Sequence, residues 1–188
     1  QAVRPDAIIA CMHWGEEYQS LPNREQCELA DWLLKQGVTH IIGSHPHVIQ
    51  PIELRTNGNQ QHAIVYSLGN FISNMSAANT DGGLIFTLQL EKYPLPKPIR
   101  PLQNHSSHSP SPESFASSFP FARVVRCGYT LVWTGRPTLT GEKNYILYPS
   151  YSPHSHLPQS ARNRLNIFIK NTRKFLVQHN TEIYENNK

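Results

Sequence analysis

The sequence contains little cysteine and no long apolar run. Its three cysteines, Cys11, Cys27 and Cys127, lie far apart and form no Cys-x-x-Cys pair. This spacing indicates neither a disulfide framework nor a cysteine-based zinc site. Cys11 lies in an apolar run and is expected to be a small buried residue. No stretch of about 18 apolar residues is present, so no segment is predicted to span a membrane.

Charge is also sparse. Charged residues make up 16% of the 188 residues, and the net charge is +4. Much of the excess lies between Arg162 and Lys174, where we expect the solvated face of a helix. Nucleic-acid binding requires a concentrated basic stripe, and a charge this mild does not predict it.

Histidine is abundant, and the most distinctive stretch runs from Gly43 to Pro51, where His45 and His47 flank Pro46. Pro46 fixes its own φ and favours an extended His45. In an extended segment, residues i and i+2 point to the same side. The two imidazoles are therefore predicted to converge at the end of a strand, as two ligands of one metal ion do. The alternative is a surface turn that happens to carry two histidines.

The first forty residues predict a strand, a helix and a second strand. The apolar run at 6–12 is typical of a strand covered on both faces in a parallel sheet. Asn23 is a good N-cap, Gln26 completes a capping box, and Gly37 ends the helix. The following strand, Val38 to Ile42, must then run parallel to the first through a right-handed crossover.

A parallel pair predicts where the histidines meet. His13 follows the first strand, and His45 and His47 follow the second, so all three reach the sheet edge where α/β proteins bind ligands. Three neutral imidazoles can hold an ion of the zinc type. Glu16 and Glu17 lie close enough behind His13 to reach this site or to orient a ligand.

The rest of the chain predicts further strands and a final helix. The strands lie at 63–68, 84–90, 123–133 and 144–149, and the helix at 160–178. Segment 66–90 is interpreted as an antiparallel continuation of the first sheet. The Pro/Ser-rich segment is predicted to be an irregular insertion, with His105 and His108 inside it. A second His-x-His, His154 to His156, is assigned to a loop.

These elements suggest a domain organisation and one other catalytic possibility. We expect residues 1–92 and 123–188 to form or flank one domain, with 93–122 as the insertion. Ser44 or Ser67 is an alternative nucleophile, but no Gly-x-Ser-x-Gly motif supports it.

Four motifs occur in order: His13-Trp14-Gly15 with Glu17-Tyr18, Gly43-Ser44-His45-Pro46-His47-Val48, Gln50-Pro51, and Tyr66-Ser67-Leu68-Gly69-Asn70-Phe71. Together they resemble the bacterial capsule-synthesis CapA family, which is associated with poly-γ-glutamate capsule production. The resemblance covers roughly Asp6 to Leu90. That family is similar to the calcineurin-like metallophosphoesterases. The implied fold is therefore α/β, the C-terminal half of a four-layer α/β/β/α sandwich with mixed sheets.

The resemblance also implies roles for single residues. The metal ligands would be His13, His45 and His47, in a centre that is dinuclear in the complete protein and holds Mn, Fe or Zn. Catalytic roles would fall to Glu17 and Asn70, and substrate contacts to Trp14, Tyr18 and Ser67.

Other metallophosphoesterase motifs do not occur in this sequence. Asp-x-His, Gly-Asp-x-x-Asp and Asn-His-Asp/Glu are all lacking. The site is thus expected to be a half-site, completed by an N-terminal segment or a companion chain. The chain begins at Gln1 rather than Met, just before a strand, and is expected to be the later part of a longer protein.

The implied function is metal-dependent hydrolysis of a phosphate ester or a related polar bond in capsule biosynthesis, at a bacterial cell envelope. A competing reading is a non-catalytic envelope factor that binds or exports an anionic polymer, because fold resemblance does not establish activity. A third reading is a fragment that folds only with a partner chain.

Overall fold

The computed structural model describes residues 5–75, 77–92 and 122–186. They form two β-sheets with helices, which confirms the α/β class. Within these ranges, no helix has the length and apolar character needed to cross a membrane. The first sheet contains β1 (Ile9–His13), β2 (His40–Ser44), β3 (Ile52–Asn57) and β4 (Gln60–Val65). The second contains β5 (Gly82–Lys92), β6 (Ala122–Gly135), β7 (Ile146–Pro149) and β8 (Tyr184–Glu185). The helices are α1 (Arg24–Lys35), α2 (Pro137–Thr140) and α3 (Gln159–His179).

Helix α1 begins and ends as its sequence predicts. The Asn23 side chain accepts a hydrogen bond from the Gln26 backbone N–H at 2.9 Å, and Gln26 Oε1 accepts one from the Asn23 N–H at 3.0 Å. These reciprocal bonds form a complete capping box. Gly37 follows the helix with φ +97°, a conformation that glycine adopts at little cost.

The first sheet has the order β1-β2-β4-β3. β1 and β2 pair in parallel with His13 opposite Ser44, which confirms the crossover and places both strand ends at one edge. β4 is also parallel to β2. It starts earlier than predicted because it forms an antiparallel hairpin with β3. The turn of this hairpin is at Gly58, and the first residue pair after it is Asn57–Gln60.

Two predictions about this sheet were wrong. β1 is an edge strand, and Ile9 is 49% exposed. Cys11 is exposed as well, because within the described part of the chain β1 pairs only with β2 and lies away from the main core. β5 does not continue the first sheet. After a single bridge between Gly69 and Gly83, it pairs along its length with β6 in the second sheet.

Two apolar clusters divide the core. α1 packs Ala30 against Ile41 and Ile64 on one face of the first sheet. The neighbouring residues Ile52 and Val65 point to the opposite face, where they join a larger cluster formed with β5, β6 and α3. Both sheets and the long helix therefore share one core.

The later elements match the prediction in type. β6, β7 and α3 lie where the apolar runs and helical spacing indicated, and α3 buries Leu165, Phe168 and Leu176. The insertion, with His105 and His108, falls outside the described residues. The four-layer arrangement and the domain boundaries stay predictions.

Asp81 fixes α3 to the second sheet. Its carboxylate, 10% exposed, accepts hydrogen bonds from Arg164 Nε at 2.8 Å and Trp133 Nε1 at 3.3 Å. A buried carboxylate with these partners serves packing, and losing one partner would leave a costly unpaired charge.

Gly43 in β2 has no room for a side chain, and Gly43→Ala tests this close approach. A Cβ there would lie 2.1 Å from the Tyr66 carbonyl oxygen and 2.4 Å from Trp14 Nε1. We expect Gly43→Ala to lower the free energy of unfolding by about 3 kcal/mol or more, measured in urea. Gly58→Ala is the control, since its Cβ would meet open space at φ +59°, and it should cost only about 1 kcal/mol. Equal losses for the two variants would contradict the steric account.

His40 predicts a dependence of stability on pH. Its side chain is buried, and Nδ1 accepts a hydrogen bond from the Ala63 N–H at 3.1 Å. Burial, and next the charge of His62, lower the pKa of His40 from 6.5 to about 4. The unfolded chain therefore binds more protons between these pH values. Stability should be complete above about pH 6.5 and fall towards pH 4 by up to about 3 kcal/mol.

Urea unfolding at several pH values between 7 and 4.5 measures this effect. The variant His40→Asn keeps a hydrogen-bond acceptor for Ala63 but has no titrating group, so it should lose less stability on acidification. An identical pH dependence in the variant and the parent would contradict the assignment.

Candidate metal centre

Glu17, His45 and His47 bring one ligand atom each to within 4.8 Å of one another. Glu17 belongs to the loop after β1, and the two histidines belong to the loop after β2. Glu17 is exposed and the histidines are half-buried. Across the described ranges, this is the one such group of three or more His, Cys, Asp and Glu side chains.

The two histidines converge in a way the sequence did not predict. Pro46 was expected to hold His45 extended, but His45 has φ +106° and His47 has φ +61°. The ring centroids lie 6.1 Å apart. The convergence therefore comes from a strained turn, in which two non-glycine residues occupy the left-handed region, and not from the alternation of a strand.

Asn70 fixes the orientation of the His47 ring. The Asn70 Nδ2 group donates to the Thr80 carbonyl at 2.9 Å, which leaves Oδ1 as the acceptor that faces His47 Nδ1 at 2.9 Å. His47 Nδ1 must then carry the proton, and the Nε2 lone pair points away from Asn70. Nε2 lies 3.7 Å from Glu17 Oε1. Asn70 is buried behind His47 and orients its ring, and its predicted catalytic role stays a prediction.

His13 lies beside the cluster but not within it. Its ring centroid is 4.5 Å from that of His45, with the rings tilted by 45°. The register explains this, because His13 pairs with Ser44, the residue before His45. The set that converges is therefore Glu17 with two histidines, where the sequence predicted three histidines.

Tyr18 forms one wall of the cluster. Its ring stacks on His47 at 6.3 Å, and its backbone N–H donates to the Pro46 carbonyl at 2.8 Å. Desolvation, and next the negative charge of Glu17, raise the pKa of the Tyr18 phenol. The side chain is 45% exposed. The Tyr18 side chain is therefore accessible to a ligand. Its contact with substrate stays a prediction.

Trp14 and Ser67, the other two residues predicted to contact substrate, are buried. Trp14 packs on Tyr66, and its Nε1 donates to the Tyr66 carbonyl at 2.8 Å. Ser67 has no exposed surface, and its Oγ accepts from the Gly69 N–H at 3.2 Å. Neither side chain is available to a ligand in this arrangement, because the close pairing of β2 with the chain after β4 covers both.

The other candidate carboxylates have structural partners or lie elsewhere. Asp31 and Glu53 both form ion pairs with Arg55, at 2.5 and 2.6 Å, and Asp81 holds Arg164 as described. Glu16 does not belong to the converging group.

Among the described residues, the remaining sequence candidates do not form a second centre. Ser44 Oγ donates to the Met12 carbonyl at 3.2 Å, so no histidine activates it as a nucleophile. In the second His-x-His, which does lie in a loop, His154 Nε2 donates to the Pro149 carbonyl at 2.8 Å.

A buried pair of glutamine amides supports the cluster, and the sequence reading missed it. Gln26 Nε2 donates to Gln50 Oε1 at 2.8 Å, and Gln50 Nε2 donates to the carbonyls of Gln19 and Leu21 at 2.9 and 3.1 Å. These bonds fasten the loop that carries Glu17 to the chain just after His47. The available signal was Gln50 itself, a polar residue next to Val48, Ile49 and Pro51.

Part of this chain is similar to known capsule synthesis proteins. Residues 1–75 match the family model described as bacterial capsule synthesis protein PGA_cap. The PGA biosynthesis protein CapA of Bacillus subtilis (strain 168) is 38% identical over 87 residues, 46% of this chain and 22% of that protein. The capsule biosynthesis protein CapA of Bacillus anthracis is 37% identical over 81 residues, 43% of this chain and 19% of that protein. No solved structure matches this chain significantly.

The chain thus spans about a fifth of the length of these curated relatives. The matched region contains β1, α1, β2, β3 and β4. It also contains Glu17, His45, His47 and the supporting Asn70. Residues 1–75, which carry the whole cluster, are therefore similar to the bacterial capsule synthesis proteins and to the two CapA relatives.

Proposed function

We propose that this chain contributes a divalent-metal site to a metal-dependent hydrolase of capsule biosynthesis, with Glu17, His45 and His47 as the ligands. The observation that carries the proposal is their convergence within 4.8 Å, with the free Nε2 of His47 directed into the group.

The donor set fits a transition metal. Two imidazoles and one carboxylate are a common set for catalytic zinc, and manganese and iron accept similar ligands. The 3.7 Å between His47 Nε2 and Glu17 Oε1 is close to the roughly 3.3 Å between two ligand atoms of a tetrahedral ion. Three protein ligands leave a coordination position open for substrate or water.

A bound ion would polarise a phosphoryl or carbonyl oxygen and lower the pKa of a bound water. Other residues of this chain orient the ligands and the substrate at that site. Asn70 keeps the His47 tautomer correct, and the two glutamines hold the Glu17 loop in place. The exposed Tyr18 phenol is positioned to donate a hydrogen bond to a substrate oxygen. A second ion, as in a dinuclear centre, needs further ligands, and His13 beside His45 is one candidate.

The strained backbone supports a functional role. A non-glycine residue in a sparsely populated φ region costs of order 1–3 kcal/mol, and such residues cluster at binding and catalytic sites. His45 and His47 both lie in this region. A turn without a functional requirement would relieve the strain with glycine.

The substrate is proposed by analogy with the relatives, whose printed names refer to PGA and capsule biosynthesis. We infer a phosphate ester or a related polar bond, cleaved at a bacterial cell envelope. A non-catalytic factor that handles an anionic polymer is the second candidate. Its support is that the described residues bring only three metal-ligating groups together, on a chain with a net charge of +4.

Metal binding tests the proposal directly. We expect the purified protein to bind zinc or manganese at a site that His45→Ala and His47→Ala each abolish. Asn70→Ala should weaken binding by about 10- to 100-fold, because the ring of His47 loses its partner. Equilibrium dialysis with metal analysis by mass spectrometry measures this.

His156→Ala is the matched control, since it removes an exposed histidine of the other His-x-His pair and should change nothing. Unchanged metal content in His45→Ala and His47→Ala would contradict the proposed metal site. Metal binding by the full-length protein without cleavage of a chromogenic phosphodiester would favour the non-catalytic candidate.

The strain at His45 gives an independent prediction. His45→Gly should be more stable than His45→Ala by about 1 kcal/mol, because glycine adopts φ +106° freely and alanine does not. Urea unfolding in the presence of a chelator measures the difference without any contribution from bound metal. Equal stability, or a more stable alanine variant, would show that the turn stores no strain.

A further inference from the structure

A second cavity lies away from the metal centre, between the loop after β7 and one face of α3. Its volume is about 550 Å³, within the range of small-ligand sites. None of the ligands of the proposed metal centre lines it. Its basic residues are Arg162, Lys170 and Arg173, all from α3.

Two of these cations have no acidic partner among the described residues. Arg173 forms a two-point ion pair with Glu185, at 2.6 and 2.9 Å. Lys170 has no ion pair in the part of the chain that the structure describes, and Arg162 contacts only neutral groups. The cavity therefore has a surplus of positive charge, although the sequence suggested only a solvated helix face.

Arg162 also has unused hydrogen-bonding capacity. Its guanidinium donates to Gln159 Oε1 at 2.8 Å and, at a long 3.4 Å, to the Ser155 carbonyl. Its Nε is buried without an acceptor. A buried donor without a partner is costly, and a small rotation of the guanidinium would present it to an anion in the cavity.

The floor of the cavity is apolar. Leu165 and Ile169 line it and are 2% and 8% exposed. A bare inorganic anion would gain nothing from these side chains, whereas carbon groups would pack on them. Arg162 and Lys170 are eight residues apart, which is about 12 Å along a helix.

We propose that this cavity binds an extended organic anion, with two or more carboxylate or phosphate groups on a carbon chain. Arg162 and Lys170 would each hold one anionic group, while Leu165 and Ile169 contact the carbon atoms between them. The site is separate from the metal centre and does not depend on hydrolysis.

The test is a calorimetric titration of the full-length protein with a tri-glutamate peptide, at physiological ionic strength and with a chelator present. We expect saturable binding at one site, with tri-glutamine showing none. Lys170→Gln and Arg162→Gln should each weaken binding about tenfold, because each loses a charge-assisted contact. Lys174→Gln is the matched control, since it removes an exposed lysine of α3 that does not line the cavity.

Three results would overturn the proposal. An equal loss in Lys174→Gln would show that the helix attracts anions without a site. Loss of binding in His47→Ala would place the anion at the metal centre. Tighter binding of tripolyphosphate than of tri-glutamate would overturn the organic assignment, because the apolar floor would then contribute nothing.

Discussion

β1 and β2 pair in parallel, with His13 opposite Ser44, and this register decides which side chains meet at the sheet edge. Parallel strands end on the same side, so the two loops that follow them face each other. The register puts His13 against His45 and brings the next turn of the first loop, with Glu17, to His47. A shift of one strand by one residue would turn every side chain of that strand to the other face of the sheet.

A strained turn and buried side-chain amides set the positions of the proposed ligands at this sheet edge. The turn at His45 and His47 holds two non-glycine residues at positive φ, and such a turn persists only where its surroundings determine it. Asn70 supplies part of that support through His47. Gln50, with no exposed surface, supplies another part by bonding both the Glu17 loop and α1 through Gln26. Buried polar bonds of Asn70 and Gln50 therefore support the loops that carry the proposed ligands.

Local signals in the sequence predicted local structure well. Asn23 and Gln26 specified the start of α1, and the long connection with its helix required a parallel pair. The strained φ of His45 was not predictable, because the expected effect of Pro46 is the opposite. The buried positions of Trp14 and Ser67 were missed for a different reason. They depend on the close contact between Gly43 and the chain at Tyr66, which is a tertiary contact. That Glu17, and not His13, joins the two histidines in the cluster also depends on tertiary structure. It follows from the sheet register and from the path of the loop after β1.

The central claim is that Glu17, His45 and His47 bind one metal ion. Anomalous diffraction from crystals grown with zinc or manganese tests it most directly. The account predicts an anomalous peak about 2.0–2.2 Å from His47 Nε2, a ring nitrogen of His45 and a carboxylate oxygen of Glu17. His47 should still be bonded to Asn70 through Nδ1. A peak elsewhere, or none at saturating metal, would contradict the account.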